Sequence, residues 1–255
     1  MSTIRTIRTC RSTSENPGGT PGDDSSCPKH RLFIALPLPE VVKDDLWDVV
    51  RELNISKRRP AKRFDSPKSA SPGDGRTGRG TPGPHHRHRR AASHARPLVT
   101  QDRWHLTVAF LGKVECVAID RILVALQEVA QHCEPIDLAV AGGGRFGLGR
   151  YSVVWAGIDG DVESLVDLVG HVRTTLIAAG LNPDTKQFRP HVTLARPGDR
   201  ITNQQASQDL LTLRRYRGPT WNASELVLFD SNYGQQPKGQ SPTYEPLATI
   251  GLGTH

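Results

Sequence analysis

Two copies of a histidine and threonine motif lie 86 positions apart in this 255-residue chain. One reads His-Leu-Thr-Val from His105 and the other His-Val-Thr-Leu from His191, each within an apolar, β-prone run. Side chains of an extended strand alternate between its faces, so each histidine shares a face with the threonine two residues later, Thr107 or Thr193. Two such strands brought together present two imidazoles and two hydroxyl groups. That set suits acid-base chemistry at an anionic centre such as a phosphate.

The positive charge of the chain is concentrated in one segment. Residues 56–97 contain twelve Lys or Arg and two Asp, a surplus of ten, and subtracting it from the net charge of +7 leaves −3 for the rest. The segment is otherwise rich in Gly, Pro and Ser, which predicts a disordered basic insertion. Two interpretations stay open: a tether that binds RNA through phosphate contacts, and a tolerated surface loop, which the solvated composition favours.

The composition of the amino-terminal region predicts a disordered tail over residues 1–29 and a folded domain over residues 30–255. No apolar signal segment follows Met1, and no run approaches the roughly 20 apolar residues of a membrane span, so we expect a cytoplasmic protein without membrane contact. The four cysteines lack metal-ligand spacing, which argues against a zinc site or a disulfide framework. Cys116 and Cys133 are therefore predicted to be ordinary, partly buried thiols.

The rest of the chain alternates predicted strands and helices. Strands are predicted near residues 31–37, 98–99, 103–111, 136–141, 151–157, 188–196, 221–230 and 243–250, and helices near 39–53, 117–132, 161–179 and 203–213. The glycine-rich stretch 142–149 leads into a strand and lacks the ending of a phosphate loop, which predicts a hairpin-like turn. Each half contains one motif strand and flanking helices. The pattern predicts an α+β fold in which two pseudo-repeated antiparallel sheets flank a central cleft.

Three segments resemble the LigT-type RNA 2′,3′-cyclic phosphodiesterases, which are 2′-5′ RNA ligase-like members of the two-histidine phosphoesterase superfamily. They are Arg31-Leu-Phe-Ile-Ala-Leu-Pro-Leu-Pro, His105-Leu-Thr-Val-Ala-Phe-Leu-Gly and Arg189-Pro-His-Val-Thr-Leu-Ala-Arg196. The resemblance covers about residues 31–252 and departs at the tail and the insertion. It implies a bilobal fold with a central cleft and hydrolysis of a 2′,3′-cyclic phosphate at an RNA end to a 2′-phosphate. It also implies that the reaction uses no metal or cofactor, and we expect a monomer.

The resemblance gives each motif residue a role. His105 is the acid that protonates the 3′ oxygen, and His191 is the base that activates water. Thr107 and Thr193 donate hydrogen bonds to the non-bridging phosphate oxygens. The residue types agree with these roles, because opening a cyclic phosphodiester needs a base on one side of phosphorus and an acid on the other. Two groups with pKa values near 6.5 can supply both without a metal ion.

The resemblance also places Arg196 on the phosphate, where a guanidinium can pair with two oxygens. Strict alternation sends Arg196 to the face opposite His191, so the strand must end or bulge after Leu194 for Arg196 to reach the site. Trp104 and Phe110 alternate away from the histidine face and are predicted to belong to the core. Phe33 is a candidate platform for a nucleobase.

Two alternatives remain at the level of the sequence. The same site could act on other cyclic phosphates, such as that of ADP-ribose, or on 2′-5′ oligonucleotides, because the motifs contact only the phosphate. A different class is a non-catalytic RNA-binding module dominated by the basic insertion. The paired imidazoles argue against that class, since binding alone does not need them.

Overall fold

The computed structural model describes residues 28–57, 98–147, 152–196, 202–232 and 242–253. Its elements are β1 (Lys29–Pro37), α1 (Glu40–Val50), β2 (His105–Glu115), α2 (Ile119–His132), β3 (Ile136–Phe146), β4 (Val153–Gly160), α3 (Val162–Ala178), β5 (His191–Ala195), α4 (Asn203–Arg215), β6 (Arg217–Ala223), β7 (Glu225–Ser231) and β8 (Tyr244–Gly251). Short 3₁₀ turns precede β2 and α2. The predicted tail, except residues 28 and 29, and the basic insertion, except residues 56 and 57, lie outside the described residues. Both stay predictions.

The strands form one eight-stranded sheet in the order β6-β3-β4-β5-β2-β1-β7-β8. All neighbouring strands are antiparallel. Each half of the sheet contains four strands, and the halves meet where Leu106 of β2 pairs with Val192 of β5. The predicted α+β fold with two antiparallel halves is confirmed. The two predicted sheets are joined at their inner edges, which brings the two motif strands next to each other.

One continuous hydrophobic core lies between the helices and one face of the sheet. Helices α1, α2 and α3 each contribute an apolar stripe at helical spacing, and α4 contributes Leu213. Leu106 and Val192 of the motif strands are fully buried in the same core. Because neighbouring residues of a strand point to opposite faces, the histidines and threonines lie on the face away from this core. No helix of the described residues is long and apolar enough to cross a membrane. The cytoplasmic location stays a prediction.

The strand predicted over residues 221–230 is wrong, because the structure has two strands there. β6 and β7 are separated at Ser224 and lie in different halves of the sheet, β6 at one edge and β7 next to the other edge. Buried and exposed residues alternate over residues 221–224, but Glu225 is exposed like Ser224, and residues 226–228 are all buried. That break in alternation marks the end of one strand, although the local β propensity continues through it.

The predicted glycine-rich turn is partly wrong, because β3 continues through Gly142, Gly143 and Gly144 to Phe146. A Cβ atom on Gly144 would lie 2.4 Å from the Trp155 ring of the neighbouring strand. Gly142 has a φ of 65° at the point where the register with β4 shifts. These glycines therefore permit a bulged strand that packs closely against β4. The continued strand places Phe146 beside His191, with their ring centroids 5.0 Å apart.

Of the two cysteines among the described residues, Cys133 is free and Cys116 is disulfide-bonded. The prediction of a thiol is therefore wrong for Cys116. This residue starts the turn after β2, and its backbone N–H donates to the carbonyl of Pro28 at 3.2 Å, so the chain just before β1 lies beside it. Burial and the nearby Asp167 carboxylate raise the pKa of the Cys133 thiol, which agrees with the prediction of an ordinary, partly buried thiol.

Candidate active site

The two motifs meet at the junction between β2 and β5. Their register is centred on the pair formed by Leu106 and Val192. In an antiparallel pair, one step from this centre places His105 beside Thr193 and Thr107 beside His191. The two histidine and threonine pairs are thus related by an approximate twofold axis and share one face of the sheet. The sequence predicted that the fold brings the two motifs together, and in the structure they lie side by side on paired strands.

Both imidazoles are held in the same way. His105 Nδ1 lies 2.8 Å from the carbonyl oxygen of Arg103, and His191 Nδ1 lies 2.7 Å from that of Arg189. A carbonyl oxygen only accepts hydrogen bonds, so Nδ1 carries the proton and donates in both cases. Nε2 is then the atom that can accept or deliver a proton at a ligand. The two bonds fix the tautomer and the orientation that acid-base chemistry requires.

Arg196 reaches the histidine face because of a bulge in β5. The register between β4 and β5 skips Leu194, as the sequence analysis required. A bulge of one residue reverses the alternation that follows, so Arg196 returns to the face of His191. Its Nη2 donates a hydrogen bond to the Tyr244 hydroxyl at 2.8 Å. The structure therefore brings together all five side chains that were predicted to form the site.

An equivalent bulge in β2 explains a wrong prediction. Trp104 is buried as expected, at 2% exposure, but Phe110 is 50% exposed. The register between β1 and β2 skips Val108, the residue equivalent to Leu194 in the second motif. Phe110 consequently turns to the histidine face, where it lines a pocket of about 190 Å³ together with Thr107 and His191. Strict alternation had placed it in the core.

Phe33 supports His105 from behind. It is 3% exposed, and its ring centroid lies 4.9 Å from that of His105. Phe229 stacks on it at 5.2 Å and the edge of Tyr244 approaches it at 5.0 Å. Because no open ring face is left for a ligand, the prediction that Phe33 is a nucleobase platform is wrong. The aromatic cluster instead gives His105 an apolar surrounding.

Two residues of the site, Arg103 and Tyr244, were not predicted from the sequence. The Tyr244 hydroxyl accepts a second hydrogen bond, from Arg103 Nη2 at 3.2 Å, and the Arg103 guanidinium lies 4.8 Å from the centre of the Tyr244 ring. A signal for Arg103 was present, because an arginine stands two positions before each histidine, at Arg103 and Arg189. Tyr244 had no such signal, since it is 141 positions away from Arg103.

The surroundings of His105 lower its pKa to about 4. Burial is the largest cause, and the positive charges of Arg196, Arg103 and His191 lower the pKa further. The hydrogen bond to the Arg103 carbonyl opposes these effects. His105 is therefore neutral at pH 7 in the protein alone. An anion bound beside the two guanidinium groups would offset their charge and raise the pKa of His105.

This shifted pKa predicts a pH dependence of stability. His105 in the unfolded chain takes up a proton below pH 6.5, whereas in the folded protein it does so only near pH 4. The unfolded state thus binds more protons in this window, and the free energy of unfolding falls as the pH falls from about 6.5 to 4, by about 3 kcal/mol from this group. Urea unfolding of the wild type and of His105→Gln across this pH range measures the change in the free energy of unfolding. Equal slopes in the two proteins would contradict the assignment.

Comparison with known proteins identifies the family. The family model described as the 2′-5′ RNA ligase superfamily matches residues 81–235. The chain belongs to this superfamily. Both histidine motifs lie within the matched range, and β1 precedes it. No group of three or more His, Cys, Asp or Glu among the described residues of this superfamily member is arranged to hold a metal ion.

Curated relatives cover part of the chain. The RNA 2′,3′-cyclic phosphodiesterase of Geobacillus stearothermophilus is 29% identical over 160 residues, which are 62% of this chain and 48% of the relative. The protein of the same name from Aeropyrum pernix is 31% identical over 99 residues, 38% of this chain and 55% of the relative. The chain thus spans about half the length of these curated relatives.

Two solved structures share the fold. Escherichia coli LigT, solved in complex with NADP+, superimposes with a TM-score of 0.56 at 19% identity, covering 89% of this chain and 99% of LigT. The protein TT0787 of Thermus thermophilus gives a TM-score of 0.56 at 21% identity, covering 88% of this chain and 98% of that protein. The resemblance to LigT-type proteins noted in the sequence is confirmed at the level of the fold.

Proposed function

We propose that the protein hydrolyses the 2′,3′-cyclic phosphate at an RNA end and leaves a 2′-phosphate. The observation that carries the proposal is the pair of imidazoles across the β2–β5 junction, each donating through Nδ1 to a carbonyl and presenting Nε2. Arg196 lies on the same face and supplies positive charge. The name of the curated relatives, RNA 2′,3′-cyclic phosphodiesterase, supports the choice of substrate.

In the proposed reaction, a water oxygen forms a bond to phosphorus while the bond from phosphorus to the 3′ oxygen breaks. His191 takes the proton of the water and His105 gives a proton to the 3′ oxygen. The products are a 2′-phosphomonoester and a free 3′ hydroxyl. An in-line displacement places the attacking and leaving oxygens on opposite sides of phosphorus, and two imidazoles on adjoining strands suit these two positions.

The acid role of His105 requires a protonated imidazole. In the protein alone the lowered pKa keeps it neutral, a state that by itself suits a base. We propose that the bound phosphate restores the acid form, because its negative charge opposes Arg196 and Arg103, two of the groups that lower the pKa. Substrate binding and protonation of His105 are then coupled. His105 acquires its proton when the anion is in place.

The remaining polar groups are proposed to hold the phosphate. Thr107 and Thr193 donate hydrogen bonds to its non-bridging oxygens, and Arg196 neutralises the charge that grows on them as water adds. Both histidines come from one chain, which supports a monomer as the active form. The basic insertion has no part in this proposal, and both interpretations of it, an RNA tether and the favoured tolerated surface loop, stay predictions.

The proposal is tested with an oligoribonucleotide that ends in a 2′,3′-cyclic phosphate, compared with a small 2′,3′-cyclic mononucleotide and a 2′-5′-linked dinucleotide. We expect kcat/KM to be highest for the oligoribonucleotide, the product to be the 2′-phosphate, and the rate to be unchanged by EDTA. Phosphorus NMR of the product distinguishes the 2′ from the 3′ monoester. Faster turnover of the 2′-5′ linkage would favour the alternative substrate, and RNA binding without turnover would favour a binding module.

A further inference from the structure

Arg103 is a buried cation without an acidic partner in the described part of the chain. Its residue is 9% exposed, and none of the observed ion pairs includes it. Its Nη2 donates to the neutral Tyr244 hydroxyl, and its buried Nε has no hydrogen-bond partner. Burying a guanidinium against one phenol costs free energy that a carboxylate would normally offset. The compensating anion is therefore expected to come from a ligand.

Tyr244 connects this cation to the site. Its hydroxyl oxygen accepts from Arg103 Nη2 at 3.2 Å and from Arg196 Nη2 at 2.8 Å. A guanidinium can only donate, so both lone pairs of the hydroxyl oxygen are occupied and its own hydrogen remains to be donated. The Tyr244 ring centroid lies 5.3 Å from that of His105. The Tyr244 ring thus lies beside the imidazole that is assigned to the leaving oxygen.

The two halves of the site differ in this respect. The equivalent arginine of the second motif, Arg189, is exposed, and its carbonyl but not its guanidinium supports His191. Positive charge therefore collects on the His105 side, where Arg103 and Arg196 both act on the imidazole. A cyclic phosphodiester has one negative charge. As hydroxide adds to phosphorus, the total negative charge on the two non-bridging oxygens approaches two. Two guanidinium groups match the transition state better than the substrate.

We propose that Tyr244 donates a hydrogen bond to a phosphate oxygen in the transition state and that Arg103 is the positioning residue that holds and polarises it. The inference rests on the proposed function and adds a second set of phosphate-binding side chains to the threonines and Arg196. Arg103 acts through its charge and through the Tyr244 hydroxyl. The bound phosphate supplies the negative charge that the buried guanidinium lacks among the described residues.

Steady-state kinetics distinguish the proposed role of Tyr244 and Arg103 from one in which the two side chains only pack. Tyr244→Phe keeps the ring and loses only the hydroxyl, and we expect kcat to fall on the order of 10²-fold with a small change in KM. Arg103→Met should lower kcat by about tenfold or more, and Arg103→Lys should recover part of the loss because it retains the charge. Wild-type kcat in Tyr244→Phe would overturn the role of the hydroxyl.

A second measurement does not depend on turnover. Inorganic phosphate should raise the Tm of the wild type, since it binds the folded protein. Arg103→Met should have a higher Tm than the wild type without phosphate, because it removes an uncompensated buried charge, and its Tm should respond less to phosphate. A lower starting Tm with an unchanged response would show that Arg103 is merely structural. If the Tm values respond to phosphate as expected but no cyclic phosphate is hydrolysed, the proposed function is wrong and the anion site is still supported.

Discussion

Replacement of either His105 or His191 by alanine is expected to lower kcat/KM for a 2′,3′-cyclic phosphate on the order of 10²–10⁴-fold, because each variant loses one of the two groups that transfer a proton. The remaining imidazole cannot act on both sides of phosphorus. Each histidine side chain donates from Nδ1 to the backbone carbonyl two residues before it, outside its strand, so the ladder hydrogen bonds of the sheet do not depend on the imidazole and the sheet is expected to stay folded. Steady-state rates with circular dichroism of each variant measure both effects.

His132→Ala is a matched control. Its Nδ1 also bonds a backbone carbonyl, that of Glu128 at 2.8 Å, but it lies exposed at the end of α2. We expect its rate to equal that of the wild type. The double replacement of His105 and His191 should cost little more than either single one, because the two act as a unit. Near wild-type rates in either single variant would contradict the mechanism.

The pH profile of these variants separates the acid from the base. A base must be neutral, so activity that depends on it is lost as the pH falls and produces the acidic limb of the profile. His191→Ala should remove this limb. The two limbs of the wild type report values for the coupled pair and not for either residue alone. Loss of the acidic limb in His105→Ala instead would exchange the roles and leave the site unchanged.

The sequence predicted the chemistry of the site because that chemistry is repeated at short range. Alternation within a strand places His105 with Thr107 and His191 with Thr193 whatever the rest of the fold does. The position of Arg196 was predictable only in combination with its expected role, which required the bulge found at Leu194. No comparable role was expected of Phe110, so the sequence did not predict the same bulge at Val108 of β2.

Contacts between distant parts of the chain could not be predicted in this way. Tyr244 shares hydrogen bonds with Arg103 and Arg196 only because β8 and the ends of β2 and β5 converge in space. No local pattern marks that convergence, and Tyr244 in an apolar strand looks like any aromatic strand residue. The separation of β6 from β7 had a local signal in the successive polar residues Ser224 and Glu225, but the β propensity of the residues around them masked it.

The two bulges also give the pseudo-symmetric site its asymmetry. Equivalent positions after the two motifs carry Phe110 and Arg196, so the same backbone geometry presents a ring on one side and a cation on the other. Burial lowers the pKa of His105 most, and this cation and Arg103 lower it further. The two imidazoles thus have different surroundings, and division of acid and base roles between a pair requires such a difference.

Replacement of Arg196 by methionine is expected to lower kcat/KM on the order of 10²–10³-fold, the range observed when one donor to a developing oxyanion is removed. Methionine keeps part of the length of the side chain but has neither charge nor donors. Arg196→Lys should recover only part of the loss, because a lysine cannot bind two phosphate oxygens with one planar group while bonding Tyr244. Arg121→Met is a matched control on α2, where the exposed guanidinium donates to the carbonyl of Ala179.

Arg196→Met is also expected to have an effect that does not depend on substrate. Because the charge of Arg196 lowers the pKa of His105, its removal should raise that pKa from about 4 toward 6.5. The difference in protons bound between the unfolded and folded states then narrows, and the free energy of unfolding falls less steeply from pH 6.5 to 4. NMR titration of His105 in the wild type and in Arg196→Met measures the pKa directly. An unchanged pKa, even with a large loss of activity, would show that Arg196 does not act electrostatically on His105 and would remove the proposed coupling between phosphate binding and protonation of the acid.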